Sequence, residues 1–469
     1  MRIAFMTSEA VPFAKTGGLA DVCGALPLEL ENLGHEVAVF MPRYQSIGSL
    51  RRIIHDLDCD LDWAQFGEKS KAYFIKHDMY LRDGLYGDHL GDFSDNLRRF
   101  SYFSLKSLEV FKRIDFVPDI IHVHDWQTSL VPVYLSAFGH EYFRGDKIPK
   151  TALTVHNISY QGIFPKEELP QTHLSWDYFT VAGLEFYGKI DLLKGGIQYA
   201  DIINTVSPTH ALEIQTKEYG CGLDGVLRSR RGFFSGIING IDYKVWNPQG
   251  DPLIFKNYSC DFLEGKKQNK LMLQEACGLT KNDTIPLCGF VGRLVEQKGI
   301  DLILEILPEL IAGGFQVVVL GVGEPQYMES LSEIAKKNPG SVFYSRLFDD
   351  PLAHKIYAGS DLFFMPSRFE PCGIAQMISF KYGTIPVVYK TGGLSDTVED
   401  YHQKKDTGSG FVFDRYEARE FFLAIQRARA VLFDEPRRKD FLRRIMKLNF
   451  SWKESAKQYV EMYKKVLSP

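Results

Sequence analysis

The sequence predicts an α/β protein made of two doubly wound domains that face a deep cleft. Three observations predict it. Short continuous runs of Val, Ile, Leu and Phe recur along the chain, each followed by a Gly-rich or polar turn and a longer amphipathic stretch. Runs of that length suit strands buried on both faces of a parallel sheet, and the stretches between them supply the covering helices. The runs fall into two series separated by 239–267, which is rich in Asn, Asp, Gly and Pro. The length of 469 residues also exceeds one core, since hydrophobic cores stop growing near roughly 250–300 residues.

In chain order, the first series is 3–6, 37–41, 120–123, 152–155 and 202–206, and the second is 287–291, 317–320, 362–365 and 385–389. The segment 451–467 carries Trp452, Tyr459, Val460, Tyr463 and Val466 at helical spacing and reads as an amphipathic terminal helix. Doubly wound sheets bind ligands beyond the carboxyl ends of their strands. Chemistry is therefore sought just after each run.

Composition narrows the function classes. Lys+Arg 55 against Asp+Glu 59 leaves a net charge of −4, so there is no general basic field for nucleic acid. The one basic run, 427–447, with eight basic and three acidic residues, reads as a solvated helical face. The cysteines Cys23, Cys59, Cys221, Cys260, Cys277, Cys288 and Cys372 are odd in number, scattered and free of C-x-x-C pairs, which argues against a disulfide framework or a zinc site. The N-terminus lacks a signal-peptide core, and the longest apolar stretch, 315–322, is too short to span a bilayer. A cytoplasmic protein without membrane partners is expected.

One motif occurs twice. Lys15-Thr16-Gly17-Gly18-Leu19-Ala20-Asp21 returns as Lys390-Thr391-Gly392-Gly393-Leu394-Ser395-Asp396, each time after a strand and at a helix entry. Backbone amides at a helix N-terminus can meet an anion. Glycines needed only for sterics are the other reading, and two copies favour anion sites on a shared cleft. Arg293 ends the strand 287–291 and Lys298 opens the next helix. Together they can clamp a diphosphate, or else they are solvated helix-start charges. Past the strand 362–365 comes Ser367-Arg368-Phe369-Glu370-Pro371-Cys372-Gly373. Glu370 can accept hydrogen bonds from sugar hydroxyls or simply satisfy a helix dipole. Cys372 has no activating base and reads as a small buried hydrophobe.

In the first half, His124-Asp125-Trp126 and His156-Asn157 follow the runs 120–123 and 152–155, so Asp125 and His156 sit past strand ends on one sheet edge. Neither has partners at metal-ligand spacing, so no metal is expected. His122 reads as a packed core histidine. Gly321-Val322-Gly323-Glu324-Pro325 lacks the third glycine of a dinucleotide fingerprint and reads as a tight turn. No P-loop is present.

These motifs, together with Asn239-Gly240-Ile241-Asp242, Gly292-Arg293-Leu294 and Gln297-Lys298-Gly299, resemble the bacterial glycogen synthase and plant starch synthase family in order and nearly end to end. The resemblance implies a GT-B fold with two Rossmann-like domains: 1–246 on the acceptor side, joined by the terminal helix 455–469, and 247–454 on the nucleotide-sugar side. It implies a retaining hexosyltransferase that moves glucose from ADP-glucose to the nonreducing end of an α-1,4-glucan, with no cofactor and no metal. Lys15, Gly18, Arg293 and Lys298 would hold the diphosphate. Glu370 with the Cys372 and Gly373 backbone would hold the glucosyl hydroxyls, and His156 and Asp125 would border the glucose and the acceptor. Gly17, Asp21, Asn239, Thr391, Gly392 and Gly393 complete the substrate-binding set. Tyr357 is the expected nucleobase-stacking ring. Many retaining members of the wider GT-B class carry a second Glu eight residues after the first; here that position is Ile378, so ribose recognition falls to no Glu there. Because the groups come from both domains, catalysis is expected to need closure.

Two other functions compete with this one: a retaining transferase using a UDP-sugar on another acceptor, and an inactive scaffold that only binds glucan. Oligomeric state is not legible in the sequence.

Overall fold

The apolar runs form parallel strands because both faces of each are covered: Ile3, Phe5 and Met6 are fully buried, as are Val317, Val318 and Val319. The computed structural model describes residues 1–49, 55–58, 60–89, 91–143, 145, 147–347 and 349–468; Cys59 lies outside them. The chain divides into two units, Met1–Gly240 with Trp452–Pro469, and Ile241–Ser451.

The first unit is built on a nine-stranded sheet. Its parallel strands stand in the order Phe234–Gly236, Ile202–Thr205, Lys150–Val155, Ile120–His124, Arg2–Met6, Glu36–Pro42 and Lys71–Ile75, with Leu61–Gln65 and His55–Asp58 added antiparallel at one edge. Chain direction across the sheet reverses between Arg2–Met6 and Ile120–His124, which pair directly, Ile3 opposite Ile120. That is the switch point at which such sheets take ligands. The second unit repeats the plan with six parallel strands: Val342–Ser345, Gln316–Leu320, Leu287–Val291, Leu362–Met365, Ile385–Tyr389 and Phe411–Phe413. Its switch point lies between Leu287–Val291 and Leu362–Met365, where Gly289 pairs with Phe363.

The terminal helix Trp452–Leu467 packs into the core of the first unit through Trp452, Ala456, Tyr459 and Tyr463. Its polar contacts fix the register. The Tyr459 hydroxyl accepts a hydrogen bond from Asn204 at 3.2 Å, and the Tyr463 hydroxyl lies 2.8 Å from His122 Nδ1.

The chain passes between the units at Gly240 and at Ser451, earlier than the 246 and 454 boundaries expected from sequence. The reason is local bonding. The Ile241 amide donates to the Phe450 carbonyl at 2.8 Å, and the Phe450 amide donates to the Tyr243 hydroxyl at 2.8 Å. Farther on, Trp246 stacks on His354 at 4.0 Å, and Asp251 accepts hydrogen bonds from His354 at 2.7 Å and Tyr382 at 2.6 Å. From Ile241 on, the Asn-, Asp-, Gly- and Pro-rich stretch that separates the two series of runs is thus fastened to the second unit. Among the described residues, no helix is long and apolar enough to cross a membrane.

Candidate active site

In the first unit, the strand Arg2–Met6 delivers the Lys15 loop to the switch point, and the helix Gly18–Asn32 starts there with Gly17 as its N-cap. Lys15 Nζ lies 2.7 Å from the Asp21 carboxylate, and half of the Lys15 side chain is exposed. The Gly17 amide is not offered to a ligand, because Glu9 accepts it at 3.3 Å together with the Thr16 amide at 2.5 Å.

The neighbouring strand Ile120–His124 ends in Asp125, which adopts a left-handed φ of 51° at the head of the short helix Asp125–Thr128. That turn aims its carboxylate at the adjacent strand end, where Oδ1 accepts the His156 amide at 2.7 Å and the Asn157 amide at 3.4 Å. Burial pushes the Asp125 carboxyl up to about 7, although these amides pull the other way. Burial drives His156 down to about 3 and His124 well below its ordinary value. The two rings meet at 3.1 Å, His124 Nδ1 to His156 Nε2, as neutral imidazoles sharing a hydrogen bond. Asp125 and His156 are therefore brought together through the His156 backbone and not side chain to side chain. Asn239 Oδ1 is buried without a hydrogen-bond partner among the described residues.

His122 is the packed histidine that the sequence suggests. Thr154 Oγ1 donates to Asn204 Oδ1 at 2.7 Å, so its other contact, 2.7 Å from His122 Nε2, receives a proton from the imidazole. His122 Nδ1 is then the acceptor for Tyr463.

In the second unit, both expected chemical groups sit past adjacent strands at the switch point, and they touch. Lys298 Nζ is 2.5 Å from Glu370 Oε2, which also accepts the Ser367 hydroxyl at 3.0 Å. Glu370 is 6% exposed. The two loops are sewn together by the backbone: the Arg368 amide donates to the Gln297 carbonyl at 2.9 Å, and Gln297 Nε2 donates to the Phe369 carbonyl at 3.3 Å. Arg293 is exposed and makes no ion pair among the described residues. Gly373 turns with a φ of 70° directly after the buried Cys372.

Two expectations are corrected. The Tyr357 ring is buried in the core of the second unit, stacked on Phe363 at 4.8 Å and edge-on to Trp246 at 5.5 Å, so it presents no face to a nucleobase. The second copy of the glycine motif is not a second anion cradle at Gly393. Its amide is spent on the Glu370 and Pro371 carbonyls at 3.0 and 3.2 Å, and a Cβ there would meet the Cys372 carbonyl at 2.1 Å. Gly393 lets the two loops approach. Gly392 and Thr391 form the turn before it, with Thr391 as N-cap. The sequence reading missed Glu9, six residues before Lys15, and gave no role of their own to Ser367 and Gln297 inside their motifs; only the side-chain directions reveal what they hold.

A model of the starch synthase catalytic domain matches residues 2–229, and a model of glycosyl transferases group 1 matches residues 277–447. The chain is 44% identical to glycogen synthase 2 of Geobacter metallireducens over 480 aligned residues, covering 99% of this chain and 98% of that one. It is 42% identical to glycogen synthase of Thermodesulfovibrio yellowstonii, covering 99% and 97%. Among solved structures, the catalytic domain of starch synthase IV from Arabidopsis thaliana, bound to ADP and acarbose, superposes with a TM-score of 0.91 at 34% identity, covering 100% of this chain and 99% of that one. Sucrose-phosphate synthase from Thermosynechococcus elongatus shares the fold, with a TM-score of 0.62 at 17% identity and coverage of 100% and 99%. With doubly wound units, motif-bearing loops at both switch points and full-length similarity of this order, the chain belongs to the glycogen and starch synthase family of retaining GT-B glycosyltransferases.

Proposed function

We propose that the protein extends α-1,4-glucan by transferring glucose from ADP-glucose to a nonreducing end with retention of configuration, releasing ADP. The observation that carries this reading is the Lys298–Glu370 contact at 2.5 Å, a lysine and an acid side by side past adjacent strand ends, which in this reading serve the leaving diphosphate and the sugar hydroxyls. Arg293 and Lys298 meet the charge that develops on the diphosphate as the glycosidic bond breaks, and Lys15 serves the same role from the first unit. Glu370 orients the glucose through its hydroxyls, aided by the backbone of Cys372 and Gly373. Asp125, His156 and Asn239 border the sugar and the acceptor. Neither Asp125 nor Glu370 acts as nucleophile: the acceptor hydroxyl attacks from the face the diphosphate leaves, and the departing phosphate takes its proton. The names of the full-length relatives, and the ADP held by starch synthase IV, support the donor and the product.

The test is initial rates of glucose incorporation into glycogen with ADP-glucose and with UDP-glucose. The proposal expects ADP-glucose to have the higher kcat/KM. Preference for UDP-glucose would overturn the donor assignment, and absence of transfer from either would overturn the enzyme assignment.

A further inference from the structure

Glu9 is a buried acid, 3% exposed, that the mechanism above does not use. It lies three residues past the first strand, held in a turn where the Thr7 hydroxyl donates to the Glu9 carbonyl at 2.8 Å and accepts the Glu9 amide at 3.3 Å. Its carboxylate gathers four donors. Oε2 accepts the Thr16 and Gly17 amides at 2.5 and 3.3 Å, and Oε1 accepts the Thr16 hydroxyl at 2.7 Å and the Tyr86 hydroxyl at 2.6 Å. A carboxylate close to a diphosphate loop repels the ligand, so its presence there asks for a geometric reason. Three of its four donors belong to the two residues that follow Lys15, so the acid fixes the loop that carries the lysine.

The fourth donor ties the acid to the scaffold. Tyr86 keeps its proton because burial holds its hydroxyl far above the usual range, and Ser8 lies 2.7 Å from the same oxygen. The Tyr86 carbonyl accepts Asn96 Nδ2 at 2.8 Å, and Arg99 in turn donates to Asn96 Oδ1 at 2.7 Å and to the Leu85 carbonyl at 3.0 Å. A chain of hydrogen bonds thus runs from the helix Asn96–Arg113 through Tyr86 and Glu9 to the Lys15 loop.

We infer that Glu9 is the positioning residue of the Lys15–Gly18 loop, with Tyr86 as its anchor, and that it sets how well the loop meets the donor diphosphate. The inference rests on the proposed ADP-glucose reading. It implies that Glu9 acts through Lys15 and not on the sugar. Glu9→Gln is nearly isosteric and its oxygen can still accept the Thr16 and Gly17 amides, but its NH2 group accepts nothing, so the Thr16 and Tyr86 hydroxyls have to turn round and become acceptors, and the charge that holds the loop is lost.

The experiment measures kcat and KM for ADP-glucose at saturating glycogen, and KM for glycogen at saturating ADP-glucose, with thermal unfolding alongside, for wild type, Glu9→Gln, Tyr86→Phe and the double variant. Glu9→Gln is expected to lower kcat/KM for ADP-glucose on the order of 10–100-fold, the range seen when the partner of a ligand-holding group is lost, with KM for glycogen unchanged. Tyr86→Phe is expected to lose less in the same direction, and the double variant to be no worse than Glu9→Gln alone, because both act through one carboxylate. Variants with lowered Tm and wild-type kcat/KM overturn the inference and leave Glu9 a structural residue. If Glu9→Gln does not fold, Tyr86→Phe carries the test, and wild-type kcat/KM in that variant is equally fatal. A wild-type chain that turns over ADP-glucose while the variants match it removes only the Glu9 inference. A wild-type chain without turnover removes the proposed function and this inference together.

Discussion

Lys298 and Glu370, 72 residues apart in sequence, meet at 2.5 Å past two neighbouring strands. The pairing explains how a nearly buried carboxylate is tolerated: one oxygen takes both the ammonium and the Ser367 hydroxyl. Truncating either partner strands the other in a poorly solvated site, which is costlier than never having built the pair.

Arg293 contrasts with Lys298. It is exposed and has no ion pair among the described residues, so Arg293→Ala should leave Tm unchanged while lowering kcat on the order of 10²–10³-fold. Thermal unfolding and saturating-substrate rates on the same preparation check this. Wild-type turnover would remove Arg293 from the diphosphate clamp.

Gly299 follows Lys298 with a φ of 73°, and a Cβ there would meet the Pro366 carbonyl at 2.1 Å. Gly299→Ala should cost about 1–3 kcal/mol of stability and depress kcat, since relieving the clash moves the loop carrying Lys298. Urea unfolding together with rates checks both parts. An alanine variant of wild-type stability would show that the loop has another place to go.

Tyr357 should behave as a core residue. Tyr357→Phe is expected to leave KM for ADP-glucose within about twofold of wild type, while Tyr357→Ala should cost about 3–5 kcal/mol by opening a cavity beside Phe363 and Trp246. A large rise in KM for Tyr357→Phe, with stability intact, would restore a nucleotide role.

Acid should unfold the protein partly through its buried histidines. His122 and His156 are held down to about 3, whereas in the unfolded chain each takes up a proton near 6.5. The stability this confers is fully present above that value and is lost as pH falls toward 3, by about 1.4 kcal/mol per pH unit for each ring. Asp125, raised to about 7, runs the opposite way: the folded state keeps a proton that the unfolded chain loses near 3.8. Asp191, also raised to about 7 by burial, runs with Asp125, while His124, held well below its ordinary value, adds a third ring, so three rings against two carboxyls leave a net rise from about pH 4 to 6.5. Urea midpoints should climb across that window, and a flat or falling profile would contradict the buried, neutral histidines.

Much of this was legible because the ligand ends of doubly wound sheets are written as apolar run, then turn, then polar residue. Asp125, His156, Arg293 and Glu370 all follow that grammar. The edges were harder to see: Leu61–Gln65, Val342–Ser345 and Phe411–Phe413 are short or alternate with polar residues, and the run criterion detects strands covered on both faces. Tyr357 was misassigned because its residue type does not tell which way the ring points: Ala353, Ile356 and Tyr357 share the buried side of one helix. Glu9 escaped because its partners, Thr16 and Tyr86, approach it only once the loop has folded back.

The most direct measurement follows glucose incorporated into glycogen from ADP-glucose per ADP released, with the new linkage read by NMR, in wild type, Lys298→Ala and Glu370→Gln. The account predicts one ADP per glucose and an α-1,4 linkage in wild type, with both variants slowed on the order of 10²–10³-fold. An inverted β linkage, no transfer by wild type, or wild-type rates in both variants would contradict it.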